Sequence, residues 1–259
     1  MQTLTPTKTL KAIAVVVGLF VFQQLASKAG GVVANLFSYT RIDPDGQFMW
    51  ISVHHIVQMM IALAAILILR RVWGMDFGLR VGNWRIGLRA FAWFIAVFSI
   101  YTVVGSVIRL LMNDIPRQYN ALNTRNVLGT VGFQLLLSGT SEELLFRALP
   151  ISVMWRVLGK GRPVCFGRTA NSEFIPQSWK TVYPAGIVAA VLFAIAHINW
   201  SLSPFTIRYD IFQIIVSLVV GIVYAQVYER TESILYPMLM HGAANVVVVL
   251  LGYLCAALF

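Results

Sequence analysis

The stretch from Trp50 to Leu69 reads WISVHHIVQMMIALAAILIL and is closed by Arg70 and Arg71. An α-helix of about 20 residues is about 30 Å long, which matches the hydrocarbon core of a bilayer. No Asp, Glu, Lys or Arg interrupts the run, so it reads as a membrane-spanning helix rather than the core helix of a soluble domain. Working outward, comparable runs recur near 11–27, 88–111, 127–157, 183–200, 209–227 and 234–258. The whole chain has 259 residues, of which 58% are hydrophobic and only 12% charged. Soluble domains are about one quarter charged, and so sparse a set of charges could not cover a water-facing surface. The expected fold class is therefore an all-α integral membrane protein. It is a bundle of about seven transmembrane helices enclosing an intramembrane polar cavity, or eight if 127–157 breaks near Gly139. Residues 1–259 read as a single polytopic membrane domain, with no internal repeat. No small-residue cleavage site follows the first run, which is read as a retained helix.

The formal net charge is +10. Its distribution excludes a nucleic-acid partner, because the basic residues sit between apolar runs, where loops meet an anionic leaflet. Arg70, Arg71, Arg80, Arg85 and Arg89 lie in one loop; Arg156, Lys160, Arg162, Arg168 and Lys180 lie in another. Both loops read as cytoplasmic. Lys8 and Lys11 place the N-terminus on the same side of a cell membrane. The intervening loops carry fewer bases, among them Lys28, Arg41, Arg109, Arg117, Arg125 and Arg208. Trp50, Trp73, Trp84, Trp179 and Trp200 sit near expected helix ends as interfacial anchors. Pro150 and Pro237 are expected to kink or locally open their helices, which is tolerable only where protein or water satisfies the freed groups. Cys165 and Cys255 form no metal or disulfide pattern.

Polar groups inside the apolar runs carry the chemistry. Ser141-Glu142-Glu143-Leu144-Leu145-Phe146-Arg147 lies mid-span, where each charge is costly unless paired or hydrated. Glu143 and Arg147 share a helix face and can pair. Glu142 points about 100° away from Glu143 and is left for a cavity. Phe193 and His197 lie in a second run. His241 and Asn245 lie in a third, on one face, with small residues between them that permit close helix approach. Glutamate, two histidines and asparagine can activate water, stabilise an oxyanion or bind a metal. His54 and His55 read as interfacial or structural, and Asn199 and Trp200 as the end of a helix. Straight helices would put His241 about 10 Å and His197 about 20 Å from the same membrane face, so a shared site demands tilt or shifted boundaries.

Glu142-Glu143-x-x-x-Arg147, Phe193-x-x-x-His197 and His241-x-x-x-Asn245, in this order, resemble the three motifs of the CAAX protease and bacteriocin-processing family, also called Abi proteins. Its relatives include the Ras-converting prenyl endopeptidase. The resemblance covers about 125–255, leaving 1–124 as N-terminal transmembrane helices. It implies intramembrane proteolysis of a membrane-embedded peptide or protein substrate. In that reading Glu142 activates water, His197 helps polarise it, and His241 with Asn245 stabilises the oxyanion, while Glu143, Arg147 and Phe193 support the site. No cofactor is expected. Zinc is the alternative, since two histidines and a glutamate could hold it, although no His-Glu-x-x-His helix is present and asparagine is a poor zinc ligand. The alternative function is a non-proteolytic regulator or bacteriocin-immunity protein that binds a membrane partner such as a sensor kinase. A transporter is disfavoured by the missing inverted repeat. The compact chain reads as bacterial. That favours peptide pheromones, bacteriocin precursors or regulatory membrane proteins over prenylated substrates.

Overall fold

The computed structural model describes residues 6–112, 121–158, 183–202 and 204–258. Cys165, Arg117, Lys160, Arg162, Arg168, Trp179 and Lys180 lie outside them. Five helices are long and apolar enough to cross a membrane: α1 (Pro6–Ala34), α2 (Met49–Trp73), α3 (Trp84–Leu111), α8 (Ile211–Thr231) and α9 (Leu235–Leu258). They correspond to the expected spans at 11–27, 50–69, 88–111, 209–227 and 234–258. Their exposed faces carry large apolar residues, such as Trp93, Val97, Ile100 and Val104 on α3, which suits lipid as the surrounding solvent. α1 runs past Lys28 because Gly30 lets it approach α2; a Cβ there would lie 2.6 Å from the His54 carbonyl oxygen.

The run expected at 127–157 neither breaks at Gly139 nor forms one regular helix. It is α4 (Thr124–Phe133), a π-turn (Gln134–Ser138), α5 (Gly139–Glu143), a second π-turn (Leu144–Ala148) and α6 (Leu149–Leu158). A π-turn bonds i to i+5 and takes one extra residue, which re-aims the side chains beyond it. The second turn bonds the Leu149 N–H to the Leu144 carbonyl. The next such bond would need an N–H at Pro150, which has none. Gln23 of α1 fills the gap, donating Nε2–H to the Leu145 oxygen at 3.1 Å. Pro150 and Pro237 were expected to kink or open the backbone. Pro237 falls in the first turn of α9, where a missing N–H costs little, whereas Pro150 lies just after the second π-turn and the carbonyl it frees is the one that Gln23 satisfies.

The run expected at 183–200 is corrected more strongly. α7 covers only Pro184–Ile195. His197 follows it in a turn, and Asn199 and Trp200 belong to a strand rather than a helix end. Strand β1 (Asn199–Leu202) pairs antiparallel with β2 (Phe205–Arg208). Pro204 between them cannot continue a helix, and the ribbon pairs backbone groups that would otherwise be unsatisfied. Lys28 of α1 lies 4.6 Å from the Trp200 ring centroid.

α1 packs along α2, α7 along α8, and α3 along α9, while α5 wedges between α2 and α9. The wedge needs Gly139, where a Cβ would meet the Met238 carbonyl oxygen at 2.6 Å and the Gly242 nitrogen at 2.9 Å. Leu145, Ile151, Ala189, Ala225, Tyr228 and Ile234 fill the core around it. Two loop anchors set the ends. Asp43 is buried, and its carboxylate accepts from the backbone N–H groups of Gln47, Phe48 and Met49 at the start of α2. Burial opposes its charge, but these three donors and nearby Arg125 outweigh burial and hold the carboxyl below the usual carboxylate range. On the loop between α2 and α3, Arg80 binds Glu232 at 2.6 Å and Asp76 at 3.1 Å. This ties the loop to the turn between α8 and α9; of the five arginines expected in that loop only Arg80 lies in it, since Arg70 and Arg71 end α2 and Arg85 and Arg89 open α3.

Candidate active site

α5 is a single helical turn, and it presents Glu142 and Glu143 to different surroundings. Glu143 has no exposed surface. One of its oxygens, Oε1, lies 3.1 Å from Arg147 Nη1 and 2.7 Å from His241 Nδ1. The Arg147 N–H groups are not aimed for hydrogen bonding, so the pair is held by charge. The guanidinium instead lies 3.8 Å from the Phe193 ring centroid and 5.4 Å from that of Tyr224, a cation–π arrangement strengthened by desolvation. Glu143, Arg147 and Phe193 thus form a sealed support behind the site.

Glu142 is different: its side chain is 20% exposed, and it has two imidazoles around it. His241 Nε2 lies 3.7 Å from Oε2. His55 Nε2, from α2, lies 3.8 Å from Oε1. His55 is buried, in keeping with the structural half of its sequence reading. Its ring packs edge-on against Phe133, with centroids 5.0 Å apart.

Glu142, His197, His241 and Asn245 line one cavity of about 270 Å³, together with His55, Gln134 and Ser138. His197 and His241 thus share a cavity although they stand at different distances from the starts of α7 and α9. A second cavity of about 350 Å³ shares Glu142, His55 and His197 and extends past Gln23, Lys28, His54, Gln58 and Trp200. It brings α1 and the β-ribbon to the same carboxylate. His197 is fixed by its Nδ1, which lies 2.9 Å from the Phe193 carbonyl oxygen and donates to it. Its ring also meets that of Phe193 edge-on. His241 stacks on Tyr224, with centroids 5.6 Å apart.

Asn245 faces the cavity, but its amide group donates to Gln134 Oε1 at 2.9 Å and to Ser138 Oγ at 3.0 Å. Both amide hydrogens are used. Gln134, Ser138, Ser141 and His55 were missed by the sequence reading. A polar residue four positions after another was the only available signal for Gln134 and Ser138, and it is weak. Among the described residues, no three His, Cys, Asp or Glu side chains are placed to hold a metal ion.

Residues 124–247 match the family model described as Rce1-like, type II CAAX prenyl endopeptidase. The matched stretch begins with α4 and ends just beyond Asn245, so it includes all three motifs and leaves out α1, α2 and α3. No curated protein and no solved structure matches the chain.

Proposed function

We propose that the chain, which is similar to the CAAX protease family over residues 124–247, is an intramembrane endopeptidase using water activated by Glu142. The observation that carries this reading is the division of labour between adjacent acids. Glu143 is consumed by Arg147 and His241, while Glu142 opens onto two polar cavities that can hold water.

Glu142 takes a proton from the water as its oxygen adds to the peptide carbonyl, and gives the proton to the amine nitrogen as the C–N bond breaks. His197, with Nδ1 committed to the Phe193 carbonyl, has Nε2 left to accept a hydrogen from that water. His241 is held by Glu143 through Nδ1 and donates from Nε2 when it carries a second proton. Asn245 acts on the oxyanion through Gln134: it occupies Gln134 Oε1, which leaves the Gln134 amide hydrogens to donate. The reaction needs no metal. The substrate is a membrane-associated peptide or protein, reaching Glu142 within a cell membrane. The arginines in and beside the loop between α2 and α3, with Lys11, favour a cytoplasmic N-terminus.

The test uses purified protein in micelles and an internally quenched peptide ending in a prenylated Cys-Ala-Ala-X box, beside its unprenylated twin. The native chain is expected to cleave at least one. Glu142→Gln is expected to lose cleavage while keeping its melting temperature, and a chelator is expected to change nothing. Cleavage by Glu142→Gln would overturn the assignment of the base. Loss on chelation that zinc restores would overturn the metal-free mechanism. If Glu142→Gln keeps the chain's biological output in cells, the non-proteolytic partner role replaces this reading.

A further inference from the structure

The family match begins at residue 124, yet α2 places an imidazole against the Glu142 carboxylate. Two hydrogen bonds indicate which nitrogen of His55 carries its proton. Ser141 Oγ donates its only hydrogen to the Ser138 carbonyl at 3.1 Å. The 2.6 Å contact between Ser141 Oγ and His55 Nδ1 is therefore donated by the ring, and Nδ1 bears hydrogen. In the neutral ring Nε2 is then bare, and it is this atom that lies 3.8 Å from Glu142 Oε1. The gap is too long for a direct hydrogen bond and fits a contact that tightens when a proton arrives. His241 stands the same way on the other oxygen: Nδ1 donates to Glu143, and bare Nε2 lies 3.7 Å from Oε2. Phe133 packs edge-on against the His55 ring and restrains its swing.

We propose that His55 is a positioning residue for Glu142, oriented by Ser141, and that it holds the transferred proton between water attack and departure of the amine. This rests on the peptidase reading above. The water O–H bond breaks as a Glu142 O–H bond forms. That bond breaks as His55 Nε2–H forms, giving an imidazolium beside a carboxylate. The proton then returns through Glu142 to the leaving nitrogen. No redox partner enters. The segment outside the family match thus completes the reaction centre, and a chain carrying only the three motifs would lack this member.

Two measurements decide it. With the quenched prenylated peptide, His55→Gln is expected to lower kcat at least about tenfold, as loss of a proton-handling group does, with KM little changed. His55→Ala is expected to regain turnover when free imidazole is added, which a packing defect would not do. Ser141→Ala is expected to lower kcat alone but to add nothing to His55→Gln, because Ser141 acts through the ring. Native kcat in His55→Gln, with Glu142→Gln silent in the same assay, overturns this inference and leaves the peptidase reading intact. Cleavage by Glu142→Gln overturns the reading itself. Independently of any substrate, NMR of nitrogen-labelled histidine is expected to show His55 protonated on Nδ1 in the native protein, and no longer confined to that tautomer in Ser141→Ala. A native His55 protonated on Nε2 alone overturns the proposal.

Discussion

Arg147 has no exposed surface and yet no well-aimed hydrogen bond. Its charge is answered by the Glu143 carboxylate and by the faces of Phe193 and Tyr224. Removing one member of a buried ion pair costs about 3–5 kcal/mol, and without Arg147 the Glu143 charge would keep only the His241 contact. Arg147→Met is therefore expected to lower the unfolding free energy in micelles by about that much. Adding Glu143→Gln is expected to restore part of the loss, since the stranded charge is then gone. Additive losses in the double variant would show that the pair is not the cause. The same pair also explains why two adjacent acids behave differently. Their sequence order announces separate helix faces, and the single turn of α5 turns that separation into a sealed carboxylate and an open one.

At the scale of elements, the α2 start depends on a residue outside the helix. Asp43 supplies three acceptor contacts to the first backbone N–H groups, groups that no helix satisfies by itself. Its carboxyl sits below the usual range in the folded chain. The contribution is therefore complete above the unfolded value and is lost as pH falls through the folded one. Melting temperature is expected to hold near neutral pH and to fall below about pH 4, with Asp43→Asn lower at neutral pH and flatter on the acid side. An unchanged acid slope in Asp43→Asn would assign the loss to other carboxylates. Much at this scale was legible in the sequence. Hydropathy located α1, α2, α3, α8 and α9, because lipid demands long uninterrupted apolar runs. It could not find the π-turns, since one extra residue per turn leaves the average unchanged. It also carried the fifth run through Asn199 and Trp200, because apolar alternation in a short ribbon resembles the tail of a helix. Glu142, His197, His241 and Asn245 were recognised by motif and do share a cavity. His55 carried no signal of its own: a histidine pair near a span's end suits an interface as well as a site, and only the third dimension brings it to Glu142.

For the whole molecule, the outer helices do more than wrap the reacting groups. Gln23 of α1 satisfies the Leu145 carbonyl that Pro150 leaves open, and Leu19 and Ala26 of the same helix are buried in the core. Gln23→Ala is expected to cost about 1–3 kcal/mol, the usual penalty for an unpaired buried carbonyl. It is also expected to slow peptide cleavage by loosening the turn after Glu143. Native stability in that variant would mean that water can reach Leu145. The broken helix from Thr124 to Leu158 and the short α7 are not among the five helices fit to cross lipid alone. Yet these two segments carry Glu142, Arg147 and Phe193. During synthesis the broken helix leaves the ribosome before Phe193 and Tyr224 exist, so Arg147 then has only Glu143 to answer its charge and no ring to cover it. The guanidinium gains its aromatic cover only when α7 and α8 have followed. A product truncated before α7 would present the Glu143–Arg147 pair to lipid without the rings that cover it.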